Sequence, residues 1–339
     1  MTRFNKALFE ACVAESMLSP SVHNTQPARW KLVSDGAVEL SCDPRAAVPV
    51  ADPSGHDLLL SCGTALEGMA IALSRHGLAA EVELLGDRID SAAIARVRIG
   101  GLCASDPLCE AVAKRFTCRG GFAPVMPADV GLLQAWAAGQ ASVHLVTGRE
   151  RIQEIAALND ELSADVFRDA AFRKELLHWC RLRTSHPRWN HDGLNAKAMN
   201  LGVFEAQLMP LALSVPVFGL MKLVGMDRLL SAERAKTETV AAVVFLSVPA
   251  AASPVLAGRS HYRMCLSLAE IGFSTWPMSV LVDREAARDT FSREFKLGES
   301  DRLLSCLRVG RAPTKHPNRA RRPISEVTDS HLGTRGPSR

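Results

Sequence analysis

Three residues near the middle of the chain have types and spacing suited to holding an oxyanion. In Lys114-Arg-Phe-Thr-Cys-Arg119, the residues Arg115, Thr117 and Arg119 alternate. In an extended backbone alternate side chains share a face. Two guanidinium forks flanking a hydroxyl suit a phosphate, because Arg binds planar oxyanions in bidentate fashion. The same residues could equally form the solvated end of a helix, and the segment alone leaves both readings open. A second basic group lies near the C-terminus, where Arg308, Arg311, Lys315, Arg319, Arg321 and Arg322 occur with His316 and no acid between Arg308 and Arg322.

The loop Ser19-Pro-Ser-Val-His-Asn-Thr-Gln-Pro27 is dense in hydrogen-bonding groups, and two prolines restrain it. It reads either as a capped turn or as a rigid polar cradle for a heteroaromatic ring, with Ser21 and Asn24 offering donors and acceptors. His23 inside it is a candidate proton donor or a loop histidine with a structural hydrogen bond.

The elements that must position these groups repeat. The helical pattern Gly63-Thr-Ala-Leu-Glu-Gly-Met-Ala-Ile-Ala-Leu-Ser-Arg-His-Gly-Leu78 matches Gly258 to Phe273, pairing Gly63 with Gly258, Met69 with Met264, Ile71 with Leu266 and Leu73 with Leu268. Gly77 and Gly272 end the two helices as left-handed caps. A strand-like run follows each, Glu81–Leu85 and Met278–Val282. Before the first helix stand an amphipathic helix (Phe4, Leu8, Ala11, Cys12, Leu18) and a hairpin, 28–33 and 37–42, turning at Asp35-Gly36. Before the second stand a helical face at Leu132, Leu133, Trp136 and Ala137, a strand at 142–147 and a core strand at 239–247. Residues 150–236 match nothing in the first half and read as a helical insertion or lid in the second copy. The expected organisation is a first half over 1–110, a second half over 111–328 and a polar tail over 329–339.

Composition narrows the function. The chain has 339 residues, and 40 basic against 36 acidic residues leave a net charge of +4, too little for a nucleic-acid binder. One tyrosine, Tyr262, and 5 % aromatic residues argue against a stacking surface for single strands. Nine cysteines, an odd number with no C-x-x-C pair, give no zinc ribbon or redox motif, and no metal site is expected. Free thiols and an N-terminus without an apolar leader point to a reducing cytoplasm. The apolar run Leu208–Met226 is long enough to span a bilayer but carries one charge, Lys222, and is broken by Pro210, Pro216, Gly219 and Gly225, so it reads first as a buried or lid-like segment, with a membrane-attached segment as the alternative.

Taken together, R-x-T-x-R, P-S-x-x-N-x-Q-P, the glycine-flanked helix followed by a P-x-S loop, and the C-terminal L-R-V-G…R-R-P resemble the nitroreductase superfamily of FMN proteins. Asp52-Pro-Ser-Gly55 and Ser61-Cys-Gly-Thr-Ala-Leu66 resemble its Acg-like branch. The resemblance covers roughly residues 4–147 and 237–328. It implies an α/β (α+β) fold in which two diverged copies in one chain form a pseudo-dimer, a monomer able to form further oligomers. The ring cradle, Pro20, Ser21, Val22 and Asn24, comes from the first copy. The phosphate element, Arg115, Phe116, Thr117 and Arg119, comes from the second, so one complete site, hence one FMN, is expected per chain. By the same resemblance Pro277, Met278 and Ser279 approach the ring, and Arg322 with Arg319 or Arg321 completes the phosphate site. The family chemistry is hydride transfer through the flavin to a small electron-poor acceptor, with NADH or NADPH as candidate donor and no dedicated catalytic residue beyond the candidate His23. The chain departs from the pattern at Ala28, where the family has tryptophan, and at His56, where the branch has arginine. If the insertion closes over the ring, the alternative is an FMN-storing protein with little turnover.

Overall fold

The computed structural model describes residues 3–313 and 319–329, so Lys315, His316 and all but the first residue of the polar tail lie outside the described residues. In chain order the first half contains α1 (Lys6–Ser16), β1 (Ala28–Leu32), β2 (Val38–Cys42), α2 (His56–Arg75), β3 (Leu78–Leu84), β4 (Ala95–Leu102) and α3 (Cys109–Lys114). The second half opens with α4 (Pro127–Ala138) and β5 (Val143–Val146). The inserted segment then supplies α5 (Arg149–Arg168), α6 (Ala170–Trp179), β6 (Cys180–Arg181), β7 (Leu194–Asn195), α7 (Val203–Ala212), α8 (Val215–Leu223) and α9 (Arg234–Thr237). The second half resumes with β8 (Ala242–Pro249), α10 (Pro254–Glu270), β9 (Ser274–Pro277), α11 (Val280–Asp283), α12 (Glu285–Glu294) and β10 (Asp301–Gly310), and closes with α13 (Ile324–Val327) and β11 (Thr328–Asp329).

Two sheets share one topology. The first runs β11-β1-β2-β4-β3 and the second β5-β8-β10-β9. Apart from the added β11, each is a helix, two strands, a long helix and two more strands, with every neighbouring pair antiparallel. The insertion therefore occupies the connection that in the first half is the tight Asp35-Gly36 turn. β11 crosses back and pairs in parallel with β1, so the C-terminal residues 324–329 sit in space with the first half, although the chain order had placed 111–328 in the second.

The long helices α2 and α10 pack against each other through their glycines. A Cβ on Gly63 would lie 2.0 Å from the carbonyl oxygen of Val255, and one on Gly258 would lie 2.1 Å from that of Leu60. Each glycine thus faces the residue three positions before the other, the reciprocity a local two-fold axis produces. Nearby, the buried Glu67 of α2 accepts from Arg259 at 2.6 Å and Arg263 at 2.8 Å on α10. Met69, Ile71 and Leu73 of α2 and Met264, Leu266 and Leu268 of α10 are all buried, and Gly77 and Gly272 take φ of +73° and +86° as caps. α2 is long and apolar enough to cross a membrane, but its surface is buried in the core.

One expected strand is displaced. β9 covers 274–277, and the run 278–282 turns instead into α11, because Pro277 offers no donor to extend the ladder and Ser279 accepts from Val282 and Asp283. Close packing at the paired glycines makes a direct prediction. Gly258→Ala should destabilise the protein by at least about 2–3 kcal/mol, since backbone must move to admit the methyl group. Gly131→Ala, on an exposed position of α4 with no atom within 4 Å, should be neutral or stabilising by up to about 1 kcal/mol in the same denaturant melts.

Candidate functional site

The loop after α1 is held in a strained shape. His23, Asn24 and Gln26 take φ of 43°, 56° and 52°, three side-chain-bearing residues in the left-handed region within four positions. Such strain persists only where surroundings impose it, and it concentrates at ligand sites. Here α2 imposes it: Ser61 Oγ accepts from Val22 N at 3.0 Å, and Thr64 Oγ1 donates to Pro20 O at 2.6 Å. Ser21 Oγ accepts from Gln26 N at 3.0 Å.

Opposite this loop, Arg115 caps the C-terminal end of α3 with extended backbone and Thr117 bridges in parallel to Thr275, and Arg115, Thr117 and Arg119 line one cavity. Three guanidinium groups converge beside it. Arg115 Nη2 donates to Leu18 O at 3.0 Å, Arg321 Nη2 donates to the same carbonyl at 3.2 Å, and Arg319 donates to Val112 O and Ala113 O at the end of α3. Among the described residues none of the three has an acidic partner. Burial, and then neighbouring Arg115, pull the Arg319 guanidinium down to about 10 and that of Arg321 to about 9. Arg119 is lowered by burial too, and it makes no hydrogen bond or ion pair among the described residues.

Two adjoining cavities share Pro20, Ser21, Arg119 and Leu194. The polar one, about 90 Å³, is lined by Arg115, Phe116, Thr117, Arg319 and Arg321 together with Asn24 and Asn195. The larger, about 320 Å³ and mainly apolar, is lined by Val22, His23, Leu60, Trp276, Pro277 and Ser279, with Asp57, His261 and Asp283 among its polar groups. Burial, and then Asp57, raise the Asp283 carboxyl above its usual range. His261 Nδ1 lies 3.1 Å from Ser305 Oγ.

Two expected site residues fall outside both cavities. Met278 is buried in the core behind the loop, with its N–H on Cys306 O at 2.8 Å. Arg322, expected first among the C-terminal arginines, instead pairs at 3.0 Å with buried Asp192, a carboxylate that also pairs with Arg181 and Arg188. Asn24 borders the polar cavity, but its amide is used structurally: it donates to Gly193 O and Ala320 O and accepts from Arg321 Nη1 at 3.1 Å. Trp276, His261, Leu194 and Asn195 were missed. A histidine on a helix face otherwise apolar was a usable signal for His261, and Trp276 adjoins the P-x-S loop. Leu194 and Asn195 reach the cavities through the insertion, which no local pattern reports. Among the described residues no group of His, Cys, Asp and Glu could hold a metal ion.

No family model matches the chain. By sequence it is 33 % identical over 167 residues to the "Putative NAD(P)H nitroreductase Rv3131" of Mycobacterium tuberculosis, covering 48 % of this chain and 47 % of that protein. It is 34 % identical over 76 residues to the "Putative NAD(P)H nitroreductase acg" of the same organism, covering 22 % of this chain and 23 % of that one. Over these regions the chain is similar to proteins named as nitroreductases. The matched region spans about half the length, or less, of these curated relatives. Among solved structures, the FMN- and NADPH-dependent nitroreductase NfnB from a Sphigopyxis strain has 18 % identity and a TM-score of 0.36, covering 66 % of this chain and 98 % of that one. NfnB from Mycobacterium smegmatis, in complex with NADPH, has 17 % identity and a TM-score of 0.33, covering 66 % and 97 %.

The buried histidine gives a pH prediction. Burial first, and then Arg119, hold the His23 imidazole down to about 4, against about 6.5 in an unfolded chain. Between those values the unfolded chain binds the extra proton, so stability falls as pH drops from about 6.5 through about 4, by up to about 3 kcal/mol. His23→Asn, which tolerates the left-handed backbone, should lose that part of the decline in denaturant melts at pH 7 and pH 4.

Proposed function

We propose that the chain is an FMN-dependent oxidoreductase of the nitroreductase type, with one FMN per chain between its two halves, which act as a built-in dimer. The observation that carries this is the convergence of Arg115, Arg319 and Arg321, with no acidic partner, at a polar cavity that adjoins a mainly apolar one. Three cations held together against their mutual repulsion favour a dianion such as the FMN phosphate. The remaining chemistry fits the same group. Arg115 Nε and His23 Nε2 are buried without a partner, as atoms awaiting a polar ligand would be. Val22, Leu60, Leu194, Trp276 and Leu304 wall a space suited to a flat heteroaromatic ring.

When bound, FMN supplies hydride transfer, and the chain's residues supply binding and orientation. Arg115, Arg319 and Arg321 take the phosphate. Arg119 lines both cavities, and its charge near the ring favours electron acceptance there. Pro277 and Ser279 border the ring space. The reaction proposed is reduction of a small electron-poor compound, with NADH or NADPH as donor.

One observation favours the storage reading as a second possibility. The inserted segment contributes Gly193, Leu194, Asn195 and Ala198 to the cavity walls, so part of the site is closed by residues the first half has no counterpart for. Purified protein should carry about one FMN per chain, and Arg115→Ala with Arg321→Ala should lower retention at least about a hundredfold. Anaerobic NADH or NADPH should bleach the bound flavin. Bleaching by dithionite but by neither nucleotide would favour storage, and unchanged flavin content in the double variant would refute the phosphate assignment.

A further inference from the structure

The expectation that 208–226 lies buried or forms a lid holds only for its inner side. α7 and α8 meet at a bend of 90°. Inward, Ala206, Leu213 and Phe218 are buried, Met209 and Leu213 pack with Leu176, Cys180 and Leu194, and the Arg173 guanidinium lies 3.8 Å from the Phe218 ring centroid. Outward, Val203, Phe204, Leu208 and Leu211 expose one face of α7, and Val215, Leu220 and Leu223 expose one face of α8. With Val224, Met226 and Leu229 these make ten of the seventeen large apolar side chains exposed among the described residues, all within 27 positions. A helix apolar all round belongs in a core or in lipid, and a patch of this extent marks an interaction surface.

We propose that this outer face docks the protein on an anionic lipid bilayer, lying in the interface rather than crossing it. The length of the helices decides against crossing. At 1.5 Å per residue, α7 and α8 reach only about 15 Å each, against a hydrocarbon core of about 30 Å. The composition favours lipid over protein. Protein interfaces need roughly one hydrogen bond per 100–200 Å² and are anchored by Trp, Tyr and Arg. This face is aliphatic, and Phe204 is its one exposed aromatic residue.

Charge gives the lipid its sign. Lys222 and Arg228 are exposed at or beside the face and have no ion-pair partner among the described residues. Of the acids nearby, buried Asp227 pairs with Arg168 at 3.4 Å, while Glu205 caps its own helix, accepting from Gly202 N at 2.7 Å, and keeps its charge, which the free cations outnumber. Free cations around an apolar helical face are the pattern of a peripheral membrane anchor.

Co-sedimentation of the full chain with phosphatidylcholine vesicles, with and without phosphatidylglycerol, tests this. The chain should pellet with the anionic vesicles. Leu220→Glu with Leu223→Glu should abolish pelleting while leaving the thermal midpoint and flavin content unchanged. Lys222→Gln with Arg228→Gln, which does not touch the apolar packing, should weaken binding roughly thirtyfold. Failure of the wild type to pellet would overturn the proposal, as would unaltered pelleting of the Leu220→Glu, Leu223→Glu variant or equal binding to uncharged vesicles. A solution dimer that the same variant dissociates, without vesicle binding, would reassign the face to a second copy of this chain. Flavin content reads the site reading separately, so either can fail alone.

Discussion

The contact of α2 with α10 through Gly63 and Gly258 is the constraint on which the rest depends. At that crossing the backbone carbonyls of Val255 and Leu60 occupy the space a Cβ would need. Close approach sets the separation of the two halves, and with it the distance between a loop from one half and an extended segment from the other. Ser61 and Thr64, which hold the strained 20–26 loop, lie on either side of Gly63 on the same helix. His261, three residues beyond Gly258, lines the apolar cavity from the opposite side. A shift at the crossing would therefore change the site's width before it changed any residue of the site.

The polar end of the site follows a different physical logic. Arg115, Arg319 and Arg321 are held by backbone carbonyls, which satisfy hydrogen bonds without neutralising charge. Two other buried arginines are paired with acids, Arg308 with Glu233 and Arg181 with Asp192, whereas buried Arg173 donates to Leu213 O and Phe167 O and lies over the Phe218 ring. What sets Arg115, Arg319 and Arg321 apart is that all three line one polar cavity. The Asp192 cluster also stitches the insertion to the C-terminal strap, because Gln26 bonds His191 O and Arg322 N within the same region.

Features governed by local chemistry were legible in the sequence: the Asp35-Gly36 hairpin, the caps at Gly77 and Gly272, the matched faces of α2 and α10, and the grouping of Arg115, Thr117 and Arg119. Features governed by distant partners were not. Whether Arg319, Arg321 or Arg322 faces the cavity depends on buried Asp192, some 130 positions earlier in the chain. Asn24 has the residue type of a ligand, yet its amide is claimed by Gly193, Ala320 and Arg321. The exposed face of α7 and α8 was hidden for a similar reason: an apolar run reads alike whether protein or solvent lies beyond it.

The central claim is that the unneutralised arginines bind the phosphate of a flavin. Titrating flavin-free protein with FMN and with riboflavin, which differs by that phosphate alone, tests it most directly. The account predicts that FMN binds at least about a hundredfold more tightly, as expected for several charge-assisted contacts to one dianion. Equal affinity for the two would contradict it.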